Sequence, residues 1–241
     1  MRASLAIPVV LAVLAVGPAA QAQQPVTHVA ASVVPQTKPA APQTKPAAPQ
    51  KPKTPPPRRG LRVFGAAEIE YLTATDTFDA VSDLPVLIGY GGGVELENLI
   101  RRLFVRLSIT AGAIDAEHGL VVDGSFVPTG VPFDIGMRTV EFGGGWRFGR
   151  ATKSFYAGAG LTLRKFTEKT DGFPEEDVTE SHNGYYANAG FDFRVAPKFF
   201  VGLEGFYRKV DAGEGTALMR DFNESDLGGA GARILFAFKV K

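Results

Sequence analysis

The chain has 241 residues, 45% of them hydrophobic and 21% charged, with 26 basic against 25 acidic side chains and no cysteine. A formal charge of +1 gives no electrostatic ground for nucleic-acid binding or for steering an acidic substrate, and the lack of thiols excludes thiolate metal sites, cysteine nucleophiles and disulfide staples. Backbone pairing and packing must therefore hold the fold, in a chain whose 28 glycines fall largely inside segments that otherwise read as strands.

Residues 1–22 carry the three-part pattern of a secretory signal peptide: Arg2, an apolar run from Leu5 to Val16, a Gly17-Pro18 break and an Ala20-Gln21-Ala22 ending. The apolar run is shorter than the about 20 residues of a membrane-spanning helix, which favours cleavage after Ala22 over an uncleaved anchor. Residues 23–60 are rich in Pro, Ala and Lys and contain a tandem repeat, Thr37 to Gln43 and Thr44 to Gln50. So little apolar surface does not offset the entropy of ordering, and a disordered periplasmic linker is expected. As polyproline II, at about 3.1 Å per residue, it reaches on the order of 100 Å. Lys38, Lys45, Lys51 and Lys53 are candidates for contact with an anionic cell wall, although a solvated spacer explains the composition without a partner.

After Gly60 apolar residues recur at every second position, the mark of a strand with two unlike faces. Leu61, Val63, Ala67, Ile69 and Tyr71 share one face, and Arg62, Glu68 and Glu70 the other. The contrast recurs seven times. Glu95 lies between Val94 and Leu96, Arg106 between Val105 and Leu107, and Arg164 follows Leu161 and Leu163 on the opposite face. Glu141 and Arg147 oppose Val140, Phe142, Trp146 and Phe148, and Asp192 and Arg194 oppose Phe191 and Phe193. Glu204 and Arg208 oppose Leu203 and Tyr207, and Arg233 opposes Ile234, Phe236 and Phe238. The expected fold is all-β, an eight-stranded antiparallel up-and-down transmembrane barrel over residues 61–241.

Three features put the apolar face outward. Glycine crowds the polar face, which suits a narrow lumen better than a solvated exterior. With strands running alternately up and down, Trp146, Phe148, Phe155, Phe193, Phe199, Phe236 and Phe238 gather at one rim, and Tyr71, Tyr185 and Tyr207 at the other, as membrane-interface aromatics do. Short connections around Asn98, Gly149-Arg150 and Ala196-Pro197-Lys198 alternate with longer polar ones around Asp76, Ser125, Asp171 and Gly215, as periplasmic turns alternate with extracellular loops.

Gly89-Tyr-Gly-Gly-Gly-Val-Glu95, Phe155-Tyr-Ala-Gly-Ala-Gly-Leu161 and Tyr186-Ala-Asn-Ala-Gly-Phe-Asp-Phe193 make residues 61–240 resemble the small eight-stranded outer-membrane barrels of the OmpA and OmpX type. The resemblance implies the outer membrane of a Gram-negative-type bacterium, with membrane lipids and lipopolysaccharide as surroundings. It also implies insertion by the outer-membrane assembly machinery, which reads a last strand ending in an aromatic residue. Here Phe236 and Phe238 are set back from the end by Lys239-Val-Lys241.

Inside such a barrel Arg62, Arg106, Arg147, Arg164, Arg194, Arg208 and Arg233 face Glu68, Glu70, Glu95, Glu141, Asp192 and Glu204. Near-balance of sign favours a structural ionic plug over a charged narrow pore. His118 and His182 lack the His-x-Ser spacing of lipid-deacylating barrels, and Ser181 points away from His182 on an extended strand. Glu175-Glu176-Asp177 lacks the ligand spacing of a calcium loop, and the glycine runs lack the Lys-Ser/Thr of a phosphate cradle. No catalytic, cofactor-binding or metal site is expected. The leading expectation is a non-enzymatic barrel presenting extracellular loops for envelope integrity or surface interaction. A narrow pore is the alternative, ahead of a lipid-modifying enzyme or a soluble lipocalin-like binder.

Overall fold

A strand carries hydrogen-bonding groups on both edges, and only a closed ring pairs all of them. A computed structural model of the chain describes residues 59–82, 84–122, 125–150, 152–170, 177–213, 219–220 and 222–240. The expected signal peptide, the four linker lysines and the Glu175-Glu176 pair lie outside the described residues. Eight strands follow one another: β1 (Gly60–Leu72), β2 (Val86–Glu97), β3 (Leu103–Val122), β4 (Ser125–Arg150), β5 (Lys153–Thr170), β6 (Val178–Arg194), β7 (Phe199–Val210) and β8 (Gly229–Lys239). Each pairs antiparallel with its neighbour in sequence, and β8 returns to β1 to close the barrel.

The register sets the barrel's width. Direct partners lead from Ala113 through Ile88, Ile69, Ala232, Gly205, Ala189, Ala157 and Trp146 back to β3 at Leu103, ten residues from the start. A stagger of ten over eight strands, with about 3.3 Å per residue and about 4.8 Å between strands, tilts the strands by about 40°. The lumen that results admits side chains and little else. Even these crowd it: a Cβ on Gly93 would sit 2.1 Å from the Leu107 carbonyl oxygen and 2.8 Å from the Phe64 ring, and one on Gly145 equally close to the Ala157 oxygen and the Phe104 ring. Glycine there makes room for inward aromatics.

The outer face is apolar between two limits. On β5 the outward residues rise from Phe155 through Ala157, Ala159, Leu161 and Leu163 and then turn polar at Lys165, Thr167 and Lys169. On β4 Phe148, Trp146, Phe142 and Val140 give way to Arg138, and on β7 Tyr207 gives way to Lys209. Phe142 and Leu161 are 57% and 68% exposed, far outside the range of a soluble core. With the strands tilted, this belt is about 20–25 Å tall, the height of a bilayer's hydrocarbon layer around such a barrel. Tyr71, Trp146, Phe148, Phe155, Tyr185, Phe193, Phe199, Tyr207, Phe236 and Phe238 are all exposed on this wall.

Above the belt, at the end bearing the longer connections, the two faces exchange character. Inward positions become apolar as outward ones become polar: Phe166 follows Arg164 on β5, Met137, Ile135 and Phe133 follow Thr139 on β4, and Val210 follows Arg208 on β7. These join Leu72, Leu87 and Ile114 in a core inside the barrel mouth. A second apolar cluster, Phe64, Phe104, Tyr156 and Leu235, fills the end bearing the short turns. The lumen is therefore not polar throughout, because the part of the wall that stands in water needs an apolar interior like any soluble barrel.

Two connections differ from expectation. The third, expected as a polar loop around Ser125, is a ribbon: β3 and β4 stay paired to Val122 and Ser125, with a bulge between Glu117 and Gly119. The first contains a helix, α1 (Thr75–Ser82), whose Phe78 and Val81 are buried in the mouth core. The Glu224 carboxylate, from the β7–β8 connection, accepts hydrogen bonds from the backbone N–H groups of Asp76 and Thr77 at 3.2 and 2.9 Å and from the Thr77 hydroxyl at 2.5 Å. It thus satisfies donors that a helix start leaves open and complements the helix dipole.

Replacing Leu107, outward at mid-belt, by Arg should lower unfolding free energy in lipid vesicles by about 2–4 kcal/mol, whereas Glu117→Arg, beyond the belt, should cost about 0–1 kcal/mol. Guanidinium titration of both variants checks the position of the belt.

Candidate functional site: an ionic column in the lumen

Positions of one parity on neighbouring strands face the axis, so a charge on each of them must meet its partners there or remain unpaired in a confined space. From the turn end, Lys239 pairs with Glu97 at 2.8 Å, Glu97 with Arg62 at 3.3 Å, and Arg62 with Asp192 at 2.8 Å. Arg147 bridges Asp192 to Glu95, which it reaches at 2.6 Å. Glu95 pairs with Arg106 at 2.8 Å, Arg106 with Glu204 at 2.5 Å, and Glu204 with Arg233 at 3.2 Å. Arg233 reaches Glu141 at 2.9 Å, and Glu141 reaches Arg208 at 2.8 Å. Arg208 closes on Glu68 at 3.0 Å and Glu70 at 2.5 Å, and Glu70 on Arg164 at 2.7 Å. Arg164 ends the column by donating to the Leu227 carbonyl at 2.5 Å.

Seven cations and seven carboxylates make up this column among the described residues, so it carries no net charge. Aromatic faces seal its sides: Arg208 and Arg233 lie 4.1 and 4.4 Å from the Phe206 ring, and Arg106 lies over Phe64, Phe104 and Tyr156. Glu70, Arg164, Glu204 and Arg208 are 0% exposed. A water molecule reaches none of these four side chains.

Of the thirteen lumen residues expected from the sequence, Arg62, Glu68, Glu70, Glu95, Arg106, Glu141, Arg147, Arg164, Asp192, Glu204, Arg208 and Arg233 meet in the column. Arg194 does not. It has the inward parity but stands at the last position of β6, past the rim, and is exposed. Glu97 and Lys239 join instead, and parity was their signal, since each lies two residues beyond an inward position, Glu95 and Ala237.

The histidines lie elsewhere. His118 Nε2 is 2.9 Å from the Thr170 hydroxyl, and its ring lies tilted by 32° against Phe133, with centroids 4.3 Å apart. His182 faces inward beside Glu180 at 3.1 Å, while Ser181 points out from the opposite face, away from this imidazole. Among the described residues no group of three or more His, Cys, Asp or Glu is arranged to hold a metal ion. Glu168, beyond the lipid-facing belt, is pushed up to about 7 by burial and by the charge of Glu180.

Arg208→Ala would strand Glu68, Glu70 and Glu141 and should cost about 3–5 kcal/mol in guanidinium unfolding. Glu168 carries the opposite kind of signature. Its folded-state value lies above the ordinary carboxylate value of 4.5, so its contribution to stability is complete below about 4.5 and lost as pH rises through about 7. Carbon-13 titration of its carboxyl should show a midpoint near 7, and Glu168→Gln should flatten that part of the stability profile.

The model of the family described as outer membrane protein beta-barrel domain matches residues 46–233. Among solved structures, the chain is similar to the attachment invasion locus protein Ail of Yersinia pestis, solved with the heparin analogue sucrose octasulfate, at 16% identity over 75% of this chain and 97% of that one, TM-score 0.44. It is similar to a major outer membrane protein from Thermus thermophilus at 15% identity, over 75% and 98% of the two chains, TM-score 0.45. The N-terminal β-barrel domain of Pseudomonas aeruginosa OprF follows at 14% identity, over 74% and 96%, TM-score 0.41. None of the curated proteins matches the sequence. With the family match spanning more than three-quarters of its length, on a closed ring of eight antiparallel strands, the chain belongs to the outer membrane protein beta-barrel family.

Proposed function

We propose that this chain is a non-enzymatic barrel of the Gram-negative outer membrane whose scaffold presents its longer connections outside the cell, for surface interaction or envelope integrity. The single observation that carries the non-conducting part of this reading is the zero exposure of Glu70, Arg164, Glu204 and Arg208 across the lumen. A neutral, closed column holds a wall; it does not select or pass an ion. The presented end supports the interaction part. Helix α1 and the β3–β4 ribbon border a groove of about 740 Å³ lined by Ala80, Ser82, Asp115, Glu117, Phe126 and Pro128, a surface of mixed character. In this reading the short turns face the periplasm, residues 23–60 lie there with their lysines within reach of the cell wall, lipopolysaccharide and other lipids surround the belt, and the assembly machinery inserts the chain.

Two measurements test it. Purified folded protein in a planar bilayer should show no discrete channel, and Glu204→Ala combined with Arg106→Ala should open one; steps from the wild type would overturn the closed column. The cysteine-free chain also permits clean labelling on intact cells. Val127→Cys, on the ribbon, should react with an impermeant maleimide, and Lys198→Cys, in a short turn, only after permeabilisation; the reverse pattern inverts the orientation.

A further inference from the structure

Strand register places nine outward residues of β3, β4 and β5 in a three-by-three grid on the outer wall. Its lowest row is Ala111, Arg138 and Lys165, the middle row Ala113, Gly136 and Thr167, and the top row Asp115, Asp134 and Lys169. Arg138 and Lys165 are direct cross-strand partners. Like charges directly opposite one another on a sheet destabilise it. Among the described residues neither they nor Lys169 form an ion pair, although Asp134 stands opposite Lys169, whereas Arg208 in the lumen pairs with three carboxylates. The fold gains nothing from setting Arg138 opposite Lys165.

The centre of the grid is a glycine that packing does not demand. A Cβ on Gly136 would meet only Thr167, at an ordinary 3.8 Å, in contrast to Gly93 and Gly145. Its missing side chain leaves a depression of about 340 Å³ walled by Arg138, Lys165, Lys169, Asp134 and Thr167. Height completes the picture. Arg138 and Lys165 are the first outward residues above Val140 and Leu163, where the lipid-facing belt ends and headgroups begin.

We propose that this grid is a binding site for the phosphorylated sugar headgroup of an outer-leaflet glycolipid. The Arg138 guanidinium and the Lys165 and Lys169 ammonium groups take the phosphate oxygens, the charge-assisted contact that suits this donor set. Thr167 and Asp134 face neutral hydroxyls of the sugar, and the acyl chains lie down the wall against Val140, Leu161, Leu163 and Phe142. Three cations face Asp134 around the depression, and with Asp115 at its margin the grid still holds three positive against two negative charges, matching a phosphate and not a zwitterionic headgroup. The inference rests on the orientation proposed above, since only then does the grid meet the outer leaflet.

The test uses the full chain in nanodiscs of phosphatidylethanolamine, titrated with bisphosphorylated lipid A, phosphatase-treated lipid A or inorganic phosphate, and read by native mass spectrometry. Wild-type protein should bind the bisphosphorylated lipid at least about tenfold more tightly than the dephosphorylated one. Arg138→Gln/Lys165→Gln/Lys169→Gln should abolish that preference, and Gly136→Leu should weaken it with every charge in place. Lys153→Gln/Lys198→Gln, at the other rim, should leave it intact. Heat-dependent gel mobility confirms that each variant is a folded barrel. Unchanged preference in the triple variant, equal affinity of the wild type for the dephosphorylated lipid, or no effect of Gly136→Leu would overturn the site. Competition by millimolar inorganic phosphate would reassign it to a free anion and overturn the lipid. Inverted cysteine labelling would sink the orientation and this inference together, whereas correct labelling without lipid preference sinks this inference alone.

Discussion

A wall that faces hydrocarbon must satisfy every backbone N–H and C=O within itself, because no water is present to do so. Pairing β8 back onto β1 meets that demand, and the stagger of ten residues around the ring then fixes tilt and width together. Everything inside follows from that width. Eight strands leave space for one layer of side chains, so the lumen must be filled from its own wall, and the glycines at Gly93 and Gly145 are where that filling would otherwise collide with the backbone.

Charge is an odd filling for a closed space, since taking ions out of water costs more than most single pairs return. The column offsets this by sharing. Arg208 divides its fork among Glu68, Glu70 and Glu141, and Glu95 divides its oxygens among Arg62, Arg106 and Arg147. Arginine's planar set of donors makes such division possible where lysine's would not. Removing one member exposes several others, so the column behaves as a unit and ties together strands that are distant around the ring, as Arg164 on β5 is tied to Glu70 on β1.

Alternation of side chains made the eight strands and the inward charges legible from the sequence, because parity survives translation into structure unchanged. Height along the barrel did not survive as well. Arg194 has the inward parity but stands past the rim, whereas Glu97, of the same parity at the end of β2, still reaches Arg62. The exchange of polarity at the edge of the belt was also written in the chain, in Leu163, Arg164, Lys165, Phe166, yet it reads as noise unless one expects the wall to leave the membrane there. The ribbon had a stronger signal. Asp123-Gly124 between Val121-Val122 and Phe126-Val127 is the dipeptide that favours a tight hairpin, flanked by good strand formers. Helix α1 was illegible for a different reason: eight residues are too few to hold a helix alone, and what holds this one is a carboxylate nearly 150 positions away in sequence.

That carboxylate gives the exposed tip a particular mechanical character. Because Glu224 grips the start of α1 while Phe78 and Val81 sink into the mouth, the first and last surface connections share one lid. A graft of the first connection alone onto another barrel would carry a helix whose opening amides have lost their acceptor.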